Sequence, residues 1–240
     1  MTGAMDGQVV VVLGGSAGIG LETARAGRAE GAEVILTGRN PQRLQQAAAD
    51  VGAQRTAAFD VSDPAALGQF FEGLSGPVDH VMVTAGSPSY APLDEMTAQD
   101  VRDALSGHSA LSLEVARHVP AHVRPGGSII LMSGTGGRSP RARSTVAAAT
   151  AATPALARSL ALELAPVRVN VIAPGFVDTP LSARLLGDDL DARRDELRRT
   201  LPIRRVVGPA DIAALAVHLM INTALTGATF DIDGGQQLLD

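Results

Sequence analysis

Short apolar runs rich in β-branched residues alternate along this chain with longer segments whose apolar positions repeat at helical spacing. The first pattern is typical of buried strands, and the second of helices that cover a sheet. The predicted strands are Val9–Leu13, Glu33–Thr37, Arg55–Phe59, His80–Thr84, Ser128–Ser133, Val167–Ala173 and Ala228–Ile232. The predicted helices are Gly18–Glu30, Pro41–Val51, Pro64–Gly73, Ala98–Arg124, Ser144–Leu164 and Pro209–Ile221. This alternation predicts an α/β fold: one Rossmann-like domain over residues 1–240, with a doubly wound parallel sheet of about seven strands.

The composition agrees with this fold class and excludes several others. Apolar residues make up 45% of the 240 residues but aromatic residues only 2%, so the core must be aliphatic. The net charge of −5 and the lack of a basic run argue against a nucleic-acid partner. The absence of cysteine excludes disulfides and thiolate chemistry, and no spacing indicates a metal site. No apolar run approaches the roughly 20 residues of a membrane span, and no export signal opens the sequence, so we expect a cytoplasmic protein without a membrane partner.

A glycine-rich loop follows the first predicted strand and opens the first predicted helix. A helix N-terminus offers free N–H donors and the positive end of a dipole, which suits a pyrophosphate. Glycines allow the tight turn and a close approach of the backbone to phosphate oxygens. A glycine cluster alone is equally compatible with a plain βα turn. The predicted cofactor contacts in this loop are Gly14, Ser16, Ala17, Gly18, Ile19 and Gly20.

The GxxxGxG spacing of this loop resembles the short-chain dehydrogenase/reductase (SDR) family, and further motifs extend the resemblance over nearly the whole chain. Val83–Gly86 is similar to the family's Asn-Asn-Ala-Gly, with both asparagines lost. The segment Arg168–Pro180 is similar to the one beside the nicotinamide, and Val206–Asp211 and Asp231–Gly235 are similar to the C-terminal signatures. Asp60-Val61 follows the third predicted strand, where the family contacts adenine.

Cofactor contacts and a quaternary state follow from this resemblance as expectations. The implied contacts are Asp60, Val61, Ala85, Gly86, Pro174, Gly175, Val177 and Thr179. The family pairs through its two long helices, which implies a homo-oligomer here, a tetramer or a dimer, that acts on a small-molecule substrate.

The end of the second predicted strand indicates which nicotinamide cofactor binds. An acidic residue there would hold both ribose hydroxyls of NAD and repel a 2′-phosphate. This chain has Gly38 at that position, followed by Arg39. Arg39 is suited to a bidentate contact with a 2′-phosphate, with Ser16 as a second donor, although a plain surface arginine is the alternative interpretation. The loss of the acid together with the gain of Arg39 predicts NADP(H).

The resemblance also implies an acid–base set of Ser, Tyr, Lys and Asn that this chain lacks. The chain has no lysine, since all 20 Lys+Arg residues are arginine, and its one tyrosine lies far upstream of the family position. Placing the chain on the family puts Gly134 at the Ser position, Val146 at the Tyr position, Thr150 at the Lys position and His108 at the Asn position. Thr150 remains a candidate for a hydrogen bond to the cofactor ribose.

Three side chains are candidates for a replacement proton donor. A histidine ordinarily titrates near neutral pH, which makes His108 a candidate donor; the alternative interpretation is a half-buried helix histidine without a catalytic role. Tyr90 lies on the loop after the fourth predicted strand, a place from which a side chain reaches the substrate. The alternative interpretation of Tyr90 is a packing role. Ser133 adjoins the lost serine, but hydroxyls at strand ends more often bond the backbone.

Several other residues have an open interpretation from the sequence. An arginine cluster, Arg138, Arg141 and Arg143, lies where substrate would enter and favours either an anionic substrate or a solvated loop face. The remaining histidines of interest, His80, His118 and His122, are typical of surface or helix positions. Pro154 predicts that the fifth helix either kinks or ends and restarts with Thr153 as its N-cap.

Two functions of different classes fit these observations. The first is an NADP(H)-dependent oxidoreductase with a rebuilt donor set that reduces an activated carbonyl, imine or enone. The second is a catalytically degenerate SDR-like protein that uses the cofactor as structure: a partner subunit, an NADPH sensor, or a non-redox cyclase or isomerase. Oxidation of the cofactor during turnover discriminates between them, because the fold alone does not fix the function.

Overall fold

Seven parallel strands form the single sheet of the described structure. The computed structural model describes residues 3–86, 90–140 and 142–239, with His108 described by its backbone alone. The strands are β1 (Val9–Leu13), β2 (Glu33–Gly38), β3 (Arg55–Ala58), β4 (Val78–Val83), β5 (Val123–Met132), β6 (Arg168–Pro174) and β7 (Thr229–Ile232). They lie in the order β3-β2-β1-β4-β5-β6-β7, and every neighbouring pair is parallel. The strand order reverses between β1 and β4, so the carboxyl ends of these two strands form the crevice where such sheets bind ligands.

Helices cover both faces of this sheet, which confirms the predicted doubly wound fold. They are α1 (Gly18–Ala29), α2 (Pro41–Val51), α3 (Pro64–Glu72), α4 (Ala98–His122), α5 (Ser144–Glu163), α6 (Pro180–Leu186), α7 (Leu190–Thr200) and α8 (Pro209–Ile221). Four of them begin with proline, whose missing N–H is harmless in the first turn. Within the described ranges, no helix combines the length and the apolar character needed to cross a bilayer.

The core consists of two aliphatic layers, one on each side of the sheet. Alternate residues of one strand point to opposite faces, so Val11 and Leu13 pack with the layer under α3, α4 and α5. Val10 and Val12 pack with the layer under α1, α2 and α8. The aromatic side chains concentrate at the first layer, where His118 stacks on Phe71 with ring centroids 4.9 Å apart.

The segment between α4 and β5 differs from the prediction. The sequence predicted helix to Arg124 and a strand from Ser128, but β5 begins at Val123, immediately after α4. Val123 pairs with Val78 before a register shift, and Gly126 adopts a φ of +84° within the strand. The Pro-Gly-Gly sequence that follows Arg124 is typical of a turn, and this local signal masked the pairing with β4.

Two further elements, α6 and α7, lie between β6 and α8 where no helix was predicted. Helix α6 has only seven residues, and α7 is mostly charged, with Leu197 as its buried residue. Neither segment therefore has the apolar repeat that predicts a helix. Thr179 before Pro180 is nevertheless a helix-start signal that the prediction missed.

Helix α5 is unbroken from Ser144 to Glu163, so the predicted restart at Pro154 is wrong. Thr153 is a buried interior residue of this helix, and its hydroxyl donates a hydrogen bond to the Ala149 carbonyl at 3.3 Å. Packing of the helix against β6 and α4 holds it together across the proline.

His80 is a buried strand residue, which corrects its assignment to the surface or a helix. It lies in β4 with 4% of its surface exposed. Its Nε2 lies 2.8 Å from the Gln8 Oε1 and its Nδ1 lies 2.9 Å from the Ser128 hydroxyl. Burial lowers the pKa of His80 to about 4, so the ring is neutral at pH 7.

A buried arginine connects β6 to the end of α8. Arg168 is 6% exposed, and its guanidinium donates hydrogen bonds at 2.7 Å to the backbone carbonyls of Leu219 and Met220. It also donates to the carbonyls of Asn222 and Leu225 at 3.1 and 3.2 Å. The carbonyls of Leu219, Met220 and Asn222 form the negative end of the α8 dipole, which compensates the buried charge.

Candidate active site

The glycine-rich loop lies in the crevice between β1 and β4. The Gly15 N–H donates to the Thr37 carbonyl at 2.9 Å, which ties the loop to β2. The Thr84 hydroxyl donates to the Leu13 carbonyl at 3.0 Å, which ties the end of β4 to the same loop. Thr84 stands at a position that the sequence analysis assigned to one of the lost asparagines, and its hydroxyl braces this turn.

Close backbone contacts and positive φ values explain three glycines of the loop. A Cβ at Gly20 would lie 2.4 Å from the Gly14 carbonyl oxygen, and one at Gly14 would lie 2.8 Å from the Ala85 nitrogen. Gly14 and Gly18 adopt φ values of +95° and +55°, which favour glycine. The nearest atoms to a Cβ at Gly18 belong to Thr179, at 3.6 Å, so the loop faces the segment after β6.

The start of α1 fits a pyrophosphate group. Its N-cap is Ala17, which has no side-chain oxygen to bond the first-turn N–H groups, and no acidic residue lies in that turn. The N–H groups of Gly18, Ile19 and Gly20 precede the first N–H that bonds back along the helix, that of Leu21, which donates to the Ala17 carbonyl. These donors and the positive dipole end suit an anion.

The end of β2 brings together the residues predicted to hold a 2′-phosphate. A Cβ at Gly38 would lie 3.1 Å from the Ser16 Oγ, so Ser16 and Arg39 lie at one strand end. Arg39 is exposed and makes no ion pair within 4.0 Å in the described parts of the chain. The Asp60 carboxylate accepts hydrogen bonds from the Ser62 N–H and hydroxyl, which lower the pKa of Asp60, and the charge of Arg39 lowers it further.

The segment after β6 forms the opposite wall of the crevice. A Cβ at Gly175 would lie 2.7 Å from the Asp233 Cβ, and Val177 pairs with Val207 in an isolated parallel bridge. Thr179 caps α6 by accepting a hydrogen bond from the Ser182 N–H. This wall therefore follows β6 at Pro174 and contains the four residues predicted to lie beside the nicotinamide.

An unpredicted ion pair braces this wall from α7. The Arg194 guanidinium makes two hydrogen bonds to the Asp178 carboxylate, at 2.8 and 2.9 Å. The sequence offered no signal for it because Arg194 lies on α7, a helix that was not predicted.

Three of the four replaced acid–base positions meet at the start of α5. A Cβ at Gly134 would lie 3.3 Å from the Thr150 Cγ2, and one at Gly136 would lie 3.3 Å from the Val146 Cγ1. The fourth position, His108, belongs to α4, and its side chain lies outside the described part of the structure. An apolar side chain thus stands at the position that the sequence analysis assigned to the family's proton donor.

The hydroxyl protons at this place are engaged with the backbone. Thr150 Oγ1 donates to the Val146 carbonyl at 2.7 Å, and Ser133 Oγ donates to the Thr150 carbonyl at 2.9 Å. The Thr150 carbonyl would bond the N–H four residues later in a regular helix, but that residue is Pro154, which has none. Ser133 therefore satisfies an acceptor that Pro154 leaves open.

A cavity of about 290 Å³ lies between residues 91–96 and 142–145. Tyr90, which precedes this lining, is 46% exposed, and partial burial raises the pKa of its phenol. Arg138 pairs with Asp231 at 2.5 Å. Arg143 lines the cavity, whereas Arg141 lies outside the described residues. Among the side chains that the structure describes, no three His, Cys, Asp or Glu residues are grouped to hold a metal ion.

Comparison with known proteins identifies the family. A family model described as enoyl-(acyl carrier protein) reductase matches residues 14–237. The chain belongs to the short-chain dehydrogenase/reductase family. This SDR protein is an oxidoreductase by type, and the motifs that suggested the family all lie within or at the edges of the matched range.

Three relatives illustrate the range within which this SDR protein falls. It is similar to an NADP-dependent (R)-specific alcohol dehydrogenase of Lentilactobacillus kefiri, with 31% identity over 98% of both chains. The solved structure of the MalC reductase/Diels-Alderase of Malbranchea aurantiaca superposes with a TM-score of 0.91, at 25% identity over 99% of both chains. A short-chain oxidoreductase of Pseudomonas aeruginosa PAO1, described as containing an atypical catalytic center, gives 0.87 at 26% identity over 97% of this chain and 98% of that one.

Proposed function

We propose that this SDR protein is an NADP(H)-dependent oxidoreductase that reduces an activated carbonyl, imine or enone with a non-standard active site. The observation that carries the proposal is the contrast between the two halves of the crevice. The loop and the α1 N-terminus retain what a dinucleotide needs. The acid–base half has Val146 and Gly134 in place of tyrosine and serine.

The preference for NADP(H) rests on the end of β2. Arg39 has no carboxylate partner in the described ranges, so its guanidinium is available for a 2′-phosphate. Ser16 adjoins Gly38 and supplies a hydroxyl at the same strand end. An NADP-dependent relative supports this choice.

The replaced residues restrict the class of acceptor. NADPH would supply a hydride. Val146 has no proton to give, and the Thr150 hydroxyl proton is engaged with the Val146 carbonyl. A positioned general acid typically accelerates a reaction ~10²–10⁴-fold. The reduction of an acceptor that already carries positive charge or conjugation is slowed least when that acid is absent. Imines, iminium ions and enones are such acceptors.

A screen of acceptors tests the proposed function. We expect NADPH oxidation with members of an imine, enone or quinone panel and slower turnover with matched simple ketones. Absorbance at the NADPH band, with product identification, measures the reaction. A protein that binds NADPH yet oxidises it with none of the panel would contradict the proposal.

Substitution of Arg39 tests the cofactor assignment by itself. We expect Arg39→Gln to weaken NADPH binding by about tenfold or more, because it removes a charge-assisted contact, and to leave NADH binding nearly unchanged. Calorimetry with both cofactors measures this. Arg102→Gln on α4 removes the same charge elsewhere and serves as the control. Equal affinity of the unmodified protein for NADPH and NADH would refute the assignment.

A non-redox role is the second candidate function. The engaged hydroxyls of Ser133 and Thr150 favour it, since neither is poised to donate a proton. The name of one relative combines reductase and Diels-Alderase, so a non-redox activity has been attributed to this fold. Product formation without any loss of NADPH would support this candidate against the first.

A further inference from the structure

The cavity beside the replaced acid–base positions has a polar side and an apolar side. Its volume is about 290 Å³, which suits part of a small molecule. The apolar side consists of Ala91, Leu93 and Met96, and the polar side consists of Arg143, Ser144 and Thr145. Because Val146 follows Thr145 directly, the polar side adjoins the position of the family's proton donor.

Thr145 is a buried residue, 5% exposed, whose hydroxyl has no hydrogen-bond partner among the described residues. No side-chain polar atom sealed from solvent in those ranges is left unbonded. The Thr145 hydroxyl is therefore reached from the cavity that the residue lines, where it can bond a ligand.

The N-terminus of α5 opens at the same side. The helix has 20 residues, its N-cap Arg143 makes no side-chain capping bond, and its first turn contains no acidic residue. The first helical bond runs from the Ala147 N–H to the Arg143 carbonyl at 2.8 Å, which leaves the earlier N–H groups without a helical acceptor. Both the unbonded donors and the dipole favour a negative charge.

Arg143 adds a charge that nothing nearby neutralises. It is exposed and has no ion pair within 4.0 Å in the described part of the chain, whereas Arg138 is paired with Asp231. The carboxylates of Asp94 and Glu95 belong to the same turn as Leu93, but they do not line the cavity. Among the described residues, the lining thus holds one cation without an ion pair and no anion.

We infer that the α5 N-terminus, Thr145 and Arg143 bind the carboxylate of an acidic substrate. This inference rests on the proposed function for the reaction and adds the substrate class: an acceptor that carries a carboxylate near its reducible group. The Thr145 hydroxyl and the free N–H groups donate to the carboxylate, and Arg143 supplies the charge. The apolar side covers the intervening carbon atoms.

Equilibrium binding of a matched pair of probes tests the subsite without turnover. Benzoate and benzamide have the same shape and differ in charge. In the presence of NADP⁺, we expect benzoate to bind at least about tenfold more tightly, the size of one charge-assisted hydrogen bond. We expect this preference to disappear in Arg143→Gln and in Thr145→Val, which removes the hydroxyl at equal volume. Arg158→Gln, which removes the same charge from α5 about 22 Å further along the helix, should retain it.

The outcomes separate the subsite from the proposed function. Equal binding of the two probes, or a preference that survives both substitutions, overturns the subsite even when neutral enones oxidise NADPH. A benzoate preference that depends on Arg143 and Thr145 supports the subsite even when no acceptor oxidises NADPH, in which case only the proposed function fails. With turnover, 4-oxo-4-phenylbut-2-enoate should exceed its methyl ester in kcat/KM, and Arg143→Gln should reduce that ratio by about tenfold.

Discussion

The proton donor is the residue-level question that the active site raises most directly. Among the predicted candidates, the Ser133 hydroxyl already donates to a backbone carbonyl, while Tyr90 is half exposed with a raised pKa. A phenol with a raised pKa gives up its proton less readily near neutral pH. His108 keeps the advantage of a titration range that matches the task, so we retain it as the preferred protein donor.

Turnover of the variants His108→Ala and Tyr90→Phe tests this choice. If His108 is the donor, its removal should slow turnover of the best acceptor by more than about tenfold and remove a pH dependence near neutrality. Tyr90→Phe should have a smaller effect. Steady-state rates across pH measure both, with His218→Ala as a control on an exposed helix residue. Should neither change exceed tenfold, water or the substrate supplies the proton.

The buried imidazole of His80 makes stability depend on pH. The unfolded chain protonates this ring below its ordinary pKa of about 6.5, whereas the folded chain does so only near pH 4. Between these values the unfolded state binds more protons, so the free energy of unfolding falls as the pH falls. We expect about 2 kcal/mol to be lost between pH 7 and 5 from this residue.

Urea denaturation at several pH values measures the effect of His80. The variant His80→Gln should lose most of this slope, while His218→Gln should keep it because that ring is exposed. Carboxylates contribute equally to all three proteins in this window. Identical slopes for wild type and His80→Gln would count against the assignment.

At the scale of elements, α5 and β5 are joined by a contact that depends on proline. Ser133, just after β5, donates to the Thr150 carbonyl, which lacks its helical partner because residue 154 is proline. We expect Ser133→Ala to cost about 1–3 kcal/mol, because it leaves a carbonyl unbonded. In a Pro154→Ala background the alanine N–H can serve that carbonyl, so the same change should cost much less.

A double-mutant cycle measures this coupling from urea unfolding of the four proteins. We expect an interaction energy of about 1 kcal/mol or more between positions 133 and 154. The control pairs Pro154→Ala with Ser106→Ala, whose hydroxyl bonds the Arg102 carbonyl on α4. That pair should be additive. Additivity at 133 and 154 as well would mean that the two residues act independently.

The strands and the glycine-rich turn could be predicted from the sequence because their signals are local. Apolar runs marked β1 to β7, and the loop spacing marked a tight turn within residues 14–20, whose role in binding phosphate stays a prediction. The start of β5 and helix α7 could not be predicted, since one looks like a turn and the other lacks an apolar repeat. The hydrogen bond from Ser133 to the Thr150 carbonyl could not be predicted either. It depends on Pro154, which leaves that carbonyl without a helical partner and is distant in sequence from Ser133.

At the scale of the whole molecule, we propose a homo-oligomer, a tetramer or a dimer, formed through α4 and α5. Leu162 on α5 is 83% exposed, and Leu105 and Leu113 on α4 are 43% and 45% exposed. Burial of such side chains against a second copy stabilises association by about 1.5–3 kcal/mol each at most. The exposed leucines therefore mark the expected interface.

Light scattering of Leu162→Glu tests this interface. We expect the variant to have a lower molar mass than wild type at micromolar concentration, because the change buries a charge between copies. Leu185→Glu on α6, which is 50% exposed, should leave the mass unchanged. Circular dichroism confirms that both variants are folded. A wild-type protein that is monomeric at this concentration contradicts the proposal.

The buried guanidinium of Arg168 affects local unfolding at the amino end of β6. A guanidinium does not lose its proton in a protein, so this charge persists at every pH. Its solvation comes from backbone carbonyls at the end of α8 and in the turn that follows. If the end of α8 frayed, the Arg168 guanidinium would lose these carbonyl acceptors before water molecules could replace them. The amino end of β6 and the carboxyl end of α8 consequently open together, as one cooperative unit of local unfolding.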